Sequence, residues 1–149
     1  VVCGSAAGTR SAELGAYYAG PGNRFWEMLH RAGLTPSMLR PADFRSVLDH
    51  GIGLTDIVKT AFGPDSGLRP ADFDRDGLAH RIAAFQPRIL AFNGKRSASA
   101  FLGGPVAYGY QPGRDIGATR LFVAPSTSGA ARGFWDEDIW RAVARAALE

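Results

Sequence analysis

Four short runs of β-branched and aliphatic residues, at 1–4, 53–58, 88–93 and 119–125, each pass directly into a turn or loop, and amphipathic stretches fill the gaps between them. This alternation is the tightest constraint on the fold. Parallel neighbours need a long crossover, usually a helix, so strands separated by helical stretches imply a parallel sheet with both faces covered. The expected class is α/β: three layers, α/β/α, around a central, mostly parallel four-stranded sheet.

The intervening stretches obey helical grammar. Residues 23–32 follow Pro21 and set Phe25, Met28 and Leu29 on one face before Gly33 stops them. At 76–85, Leu78, Ile82 and Phe85 recur at i, i+4 and i+7, and Pro87 ends the pattern ahead of the third strand. The tail from Gly133 places Trp135, Ile139 and Val143 on one stripe, with Asp136, Glu137 and Asp138 near the positive helix start. The pentamer RPADF occurs at 40–44 and again at 69–73. Each copy puts a proline and an acid in a helix's first turn, so it reads as shared punctuation rather than a repeat.

A chain of 149 residues, 46% hydrophobic and 21% charged, is long enough for one globular domain spanning 1–149. Its single cysteine, Cys3, excludes an internal disulfide and any all-cysteine metal site, suits a reducing compartment, and reads as a buried strand residue. No apolar stretch approaches the ~18 residues of a membrane span and no signal-peptide pattern precedes the first strand, so a cytoplasmic, intracellular protein is expected. The chain starts inside an apolar run without a methionine, as expected of a trimmed N-terminus. A net charge of +3 permits a polyanionic partner but is equally ordinary for a soluble enzyme.

Ligands of open α/β sheets bind outside the carboxyl ends of the strands. Four segments follow the runs: GSAAG, Thr55-Asp56, Asn93-Gly94-Lys95 and PSTSGAAR. A glycine-flanked turn after a strand exposes backbone N–H groups suited to an anion or a carbonyl-rich ring. GSAAG has neither the GxGxxG nor the GxxxxGK[ST] spacing, which argues against a nucleotide cofactor. Tyr17 and Tyr18 lie between glycines and a proline, where an aromatic either stacks on a flat ring or plugs the core edge. The loop Ser126, Thr127, Ser128, Gly129, Ala130, Ala131, Arg132 is able to approach a nucleic-acid backbone closely, or is simply a turn. His30 and His80 fall within helical patterns and His50 just before a glycine, as solvent-facing or capping residues do. No His, Cys and carboxylate cluster has zinc-ligand spacing, and no metal or other cofactor is expected.

Taken in order and at these distances, YYAGPGNRFW, GIGLTDIVK, FQPRILAFNGK and PSTSGAAR resemble the mismatch-specific uracil-DNA and thymine-DNA glycosylase family over nearly the whole chain. The resemblance implies a uracil-DNA glycosylase fold and metal-free hydrolysis of the bond between deoxyribose and a flipped-out uracil or thymine. The partner would be duplex DNA containing uracil or a mismatch, the protein a monomer working at the nucleoid. Flipping costs a few kcal/mol, least at a mismatch, which favours G·U pairs. By motif, Tyr18 resembles the aromatic that stacks on the flipped base, Gly4, Ser5 and Ala6 form part of the base pocket, and residues 125–132 form the loop that fills the vacated duplex. Asn23 of GPGNRFW either caps the first helix or touches the base. Lys59 and Lys95 suit phosphate contacts or helix starts better than a Schiff base, which implies a monofunctional enzyme.

One motif departs from the pattern. The family ordinarily reads GINPG where this chain has GSAAG, so Ala6 replaces the asparagine that positions the attacking water. Another side chain does that work, or leaving-group stabilisation carries the reaction, or the protein binds without cleaving. Cleavage passes through an oxocarbenium-like sugar, beside which a fixed carboxylate stabilises charge and polarises water. Asp56 is the first candidate, against the alternative of a surface Asp capping a turn. Asn93 is the second, its amide either reading the base or holding structure. The competing functions are a damage- or abasic-site DNA-binding module and a glycosylase for another deaminated base such as hypoxanthine. Whether thymine fits turns on a methyl worth only ~1 to 3 kcal/mol.

Overall fold

The computed structural model describes residues 1–129, 133 and 135–149. Strands β1 (Val2–Gly4), β2 (Leu54–Asp56), β3 (Ile89–Asn93), β4 (Gly109–Tyr110) and β5 (Arg120–Ala124) form one sheet in the order β2-β1-β3-β5-β4. Pairings are parallel except that of β4 with β5. The sheet therefore has five strands rather than the expected four. The added strand is two residues long, too short to show an alternation, and begins at Gly109 with φ +99°.

Helices α1 (Thr9–Leu14), α2 (Phe25–Arg31), α3 (Arg75–Phe85) and α4 (Lys95–Leu102) lie between strands and α5 (Glu137–Leu148) follows the last, with 3-10 segments at Pro41–His50, Asp65–Gly67 and Pro70–Asp72. The two-residue period of the strands divides the core in two. Val2, Ile89, Ala91, Phe122 and Ala124 face α2, α5 and Val47, forming a core around Phe25, Met28 and Trp140. Cys3, Leu90, Phe92, Leu121 and Val123 face the other way, against Leu78 and Ile82 of α3 and Ala98, Phe101 and Leu102 of α4. The three layers follow directly from that alternation.

Leu78 and Ile82 of the anticipated stripe are buried, but Phe85 is 80% exposed. It is the last residue of α3, and Gln86 turns left-handed at φ +46° to lead the chain into β3. Both RPADF copies start 3-10 turns, not α-helices, and in both the arginine pairs with the aspartate three residues on. Only the second builds a capping box, Asp72 accepting from the Arg69 N–H at 2.7 Å.

After β1 the chain steps to β2 on one side and then crosses to β3 on the other, so strand order reverses between β1 and β3. A crevice opens at such a switch point, outside the carboxyl ends of the strands.

Candidate active site

Register brings the strand ends level. Gly4 pairs with Asp56, Cys3 with Phe92, and Asn93 with Ala124, so Asp56, Gly4, Asn93 and the segment after Ala124 form one rim. Above it lies an open cleft of about 970 Å³, lined by GSAAG, Tyr17, Tyr18, Asn23, Asp56, Asn93 and residues 126–129.

The GSAAG backbone is stitched to the segment after β2. Ile57, Val58 and Gly63 donate their N–H groups to the carbonyls of Gly4, Ser5 and Ala7 at 3.0, 2.7 and 2.8 Å. The N–H groups of Ala6 and Ala7 donate to no described residue, leaving two backbone donors at the cleft wall. The Ala6 side chain packs on the α3/α4 core. Ser5 is buried and donates its hydroxyl to Asp65 at 3.4 Å.

The tyrosine loop is fixed from three sides. Ala19 N–H donates to Ser11 Oγ on α1 at 2.9 Å, Trp26 Nε1 donates to the Tyr17 carbonyl at 3.1 Å, and the Tyr18 ring stacks on Phe25 at 3.9 Å between centroids. Within it Tyr18 takes φ +51°, a left-handed conformation that a bulky residue holds only when its surroundings impose it.

Asp56 is 8% exposed and its carboxylate makes no hydrogen bond among the described residues, so it is not a surface cap. Burial pushes its pKa up to about 6, against the opposing pull of Lys59 and Arg81. Arg81 itself donates to the Asp56 carbonyl at 3.2 Å rather than to the carboxylate. A Cβ on Gly4 would stand 2.8 Å from Asp56 Oδ1 and 3.2 Å from Tyr18 Oη, so glycine is what lets both groups approach β1.

Asn93 is buried and spends both ends of its amide on one residue: Nδ2 donates to Thr127 Oγ1 and Oδ1 accepts from Thr127 N–H, each at 2.9 Å. It clamps the end of β3 to the loop after β5. Trp140 Nε1 holds the Pro125 carbonyl at 2.9 Å and Arg24 N–H the Thr127 carbonyl at 2.9 Å, so 125–127 is a fixed ledge. Ala130, Ala131 and Arg132 lie outside the described residues. Asn23 sits one residue before Arg24, the N-cap of α2; its Oδ1 accepts from Phe25 N–H at 3.0 Å, and it also lines the cleft.

Arg10, Lys59, Lys95 and Arg96 are exposed and line the same cleft. Lys95 and Arg96 open α4 and rest over the rings of Tyr108 and Phe73 at 4.4 and 5.1 Å. Arg10, Arg96 and Asp65 escaped sequence reasoning: the two arginines fall just past the ends of GSAAG and FNGK, and Asp65 lies in a segment without a motif. Among the described residues no group of three or more His, Cys, Asp or Glu is placed to hold a metal, and no helix is long and apolar enough to cross a membrane.

The described site is thus a cation-rimmed cleft at the switch point of an α/β sandwich, lined by a buried carboxylate and by a tyrosine stacked on the core. The chain belongs to the uracil DNA glycosylase superfamily, whose family model matches residues 1–145. Its fold is similar to the solution NMR structure of a uracil-DNA-glycosylase-like protein from Methanosarcina acetivorans, at 24% identity and a TM-score of 0.61, covering 99% of this chain and 91% of that one. Membership supports a DNA glycosylase role, a hydrolase acting on DNA.

Proposed function

We propose that this protein is a monofunctional glycosylase of the mismatch-specific type that flips uracil from duplex DNA and hydrolyses its glycosidic bond, leaving an abasic site and free base. The observation that carries the reading is Asp56, a buried carboxylate at the strand end facing the motif whose usual water-positioning side chain is here Ala6. With a pKa about 6, it is largely ionised at neutral pH yet still basic enough to take a proton.

In this mechanism Asp56 accepts a proton from water as the water oxygen bonds to C1′. The bond from C1′ to the base breaks with its electron pair on the base, which then takes up a proton from solvent. The ionised carboxylate stabilises the positive charge developing on the sugar. Tyr18 stacks on the base, the Ala6 and Ala7 N–H groups meet its carbonyl edge, and the loop carrying Ser126 to Arg132 fills the vacated duplex. No lysine forms a Schiff base, so strand cleavage does not follow. G·U pairs are the favoured context because a mismatched base costs least to extrude.

One observation favours a second seat for the water. Asn23 also lines the cleft, and with Oδ1 held by Phe25 its Nδ2 makes no hydrogen bond among the described residues. Comparing Asp56→Asn with Asn23→Ala decides between them: the variant with the larger single-turnover defect marks the residue that holds the water. Base release is measured on G·U, A·U, single-stranded uracil and hypoxanthine oligonucleotides. Uracil release from G·U supports the proposal, hypoxanthine release alone moves the substrate to another deaminated base, and no product with tight abasic-DNA binding makes the protein a binding module.

A further inference from the structure

The cleft holds a second carboxylate that the proposed mechanism does not use. Asp65 opens the 3-10 turn Asp65–Gly67 on the wall beside GSAAG and is exposed there. The turn is pinned to the rest of the site. Just before it, Gly63 N–H is held by the Ala7 carbonyl at 2.8 Å; just after it, Leu68 donates its N–H to the Asp65 carbonyl at 3.1 Å and buries its side chain in the α3/α4 core. The carboxylate accepts a hydrogen bond from Ser5 Oγ through Oδ2 at 3.4 Å, and Ser5 is itself 9% exposed, its carbonyl held by Val58 N–H at 2.7 Å. Among the described residues nothing donates to Asp65 Oδ1, and no lysine or arginine forms an ion pair with the carboxylate.

A carboxylate set among the four cations of a cleft that takes a polyanion works against that ligand, since like charges repel. A hydrogen-bond donor on the ligand offsets this. The donor that uracil offers is its ring N–H, which lies between two carbonyl groups. Ala6 and Ala7, with N–H groups at the cleft wall, directly follow Ser5, so two donors and the anchored acceptor sit on one short stretch. Such a set complements an edge that alternates carbonyl and N–H. Asn93 Oδ1 is another acceptor on the rim, but it already takes Thr127 N–H and is uncharged, whereas a charged acceptor makes the stronger bond.

We propose that Asp65 is a specificity-determining residue whose free oxygen accepts the ring N–H of a base flanked by two carbonyls, with Ser5 the positioning residue that holds the carboxylate there. This rests on the base-release reading above. A base with a lone pair on that ring nitrogen, as in cytosine, sets acceptor against acceptor and loses the bond. Burial raises the Asp65 pKa, while the Ser5 hydroxyl and the Arg96 charge lower it, so both neighbours favour the ionised, accepting form.

Asp65→Ala removes the acceptor at an exposed position, and Ser5→Ala removes only its anchor. Single-turnover uracil release from a G·U duplex and affinity for an abasic duplex are measured for each variant and for the two combined. Asp65→Ala should lose about 10- to 100-fold in release, while its abasic-duplex affinity, with no base to read, holds or rises as a negative charge leaves the cleft. Ser5→Ala should lose less, and adding it to Asp65→Ala should change nothing further, because it acts through the carboxylate. Release at or above the wild-type rate in Asp65→Ala overturns the proposal and moves the N–H contact to another acceptor such as Asn93. An equal fall in abasic affinity also overturns it, as the mark of a structural role, and fully additive losses overturn the part given to Ser5. A wild type that releases no uracil is a different failure: it overturns the base-release reading, and this proposal with it.

Discussion

At Asp56 function and stability pull in opposite directions. Its folded pKa is about 6 against an ordinary 3.8. Between those values the folded chain binds more protons than the unfolded chain, so stability falls as pH rises across that window, and the full penalty is present above it. A shift of this size is worth on the order of 3 kcal/mol. Asp56→Asn should therefore melt at a higher temperature than wild type near neutral pH, the gain vanishing below about pH 4. Equal melting temperatures at neutral pH would show that the carboxylate is solvated. The same titration governs the reaction: the wild-type single-turnover rate should fall about tenfold per unit below pH 6. A flat profile through that range would remove Asp56 as the base. Gly4→Ala tests the packing between the two groups. Its Cβ would displace Asp56 Oδ1 or Tyr18 Oη, and base release should drop by about tenfold or more while abasic-DNA affinity is kept.

At the scale of elements, the hinge from β3 into α4 is the most demanding backbone. Gly94 takes φ +109° and ψ 157°, a region essentially reserved for glycine, and a Cβ there would press on Ser126 Cβ at 3.2 Å. Gly94→Ala should cost about 1 to 3 kcal/mol in denaturant unfolding, and a neutral effect would mean that the α4 start and the 125–127 ledge are not rigidly coupled. This hinge also shows where sequence reading stops. Strands β1, β2, β3 and β5 were legible because each lies in a compact aliphatic run, and α2, α3 and α5 because their apolar residues recur at helical spacing. Helix α4 opens with two cations, no acid in its first turn and no side-chain cap, against every start signal. Helix α1 is six residues with one buried side chain, too short for a period. At the site, the motifs located the strand ends and Tyr18, whereas the burial of Asp56 and the approach of Asp56 and Tyr18 across Gly4 depend on contacts between segments about 50 and 14 residues from Gly4, which no local pattern encodes.

For the whole molecule, charge is arranged rather than abundant. A net +3 is small, yet four exposed cations, Arg10, Lys59, Lys95 and Arg96, share one cleft. If each neutralises a phosphate, the logarithm of abasic-DNA affinity should fall with the logarithm of salt at a slope of about −3 to −4. Replacing Lys95 and Arg96 together with glutamine should flatten that slope by about 2 and weaken binding regardless of the base presented. An unaltered slope would place the backbone elsewhere on the surface.

The fold sets a buried carboxylate, a stacked phenol ring and two backbone donors unpaired among the described residues around one cleft, and the proposed chemistry needs all of them to act on a flipped base. Single-turnover release of uracil from a G·U duplex by wild type and by Asp56→Asn, each paired with its affinity for abasic DNA, tests this most directly. Wild type should release uracil, and the variant should lose about 100-fold or more in rate while binding abasic DNA within about twofold. A variant that keeps the wild-type rate would contradict the assignment of Asp56.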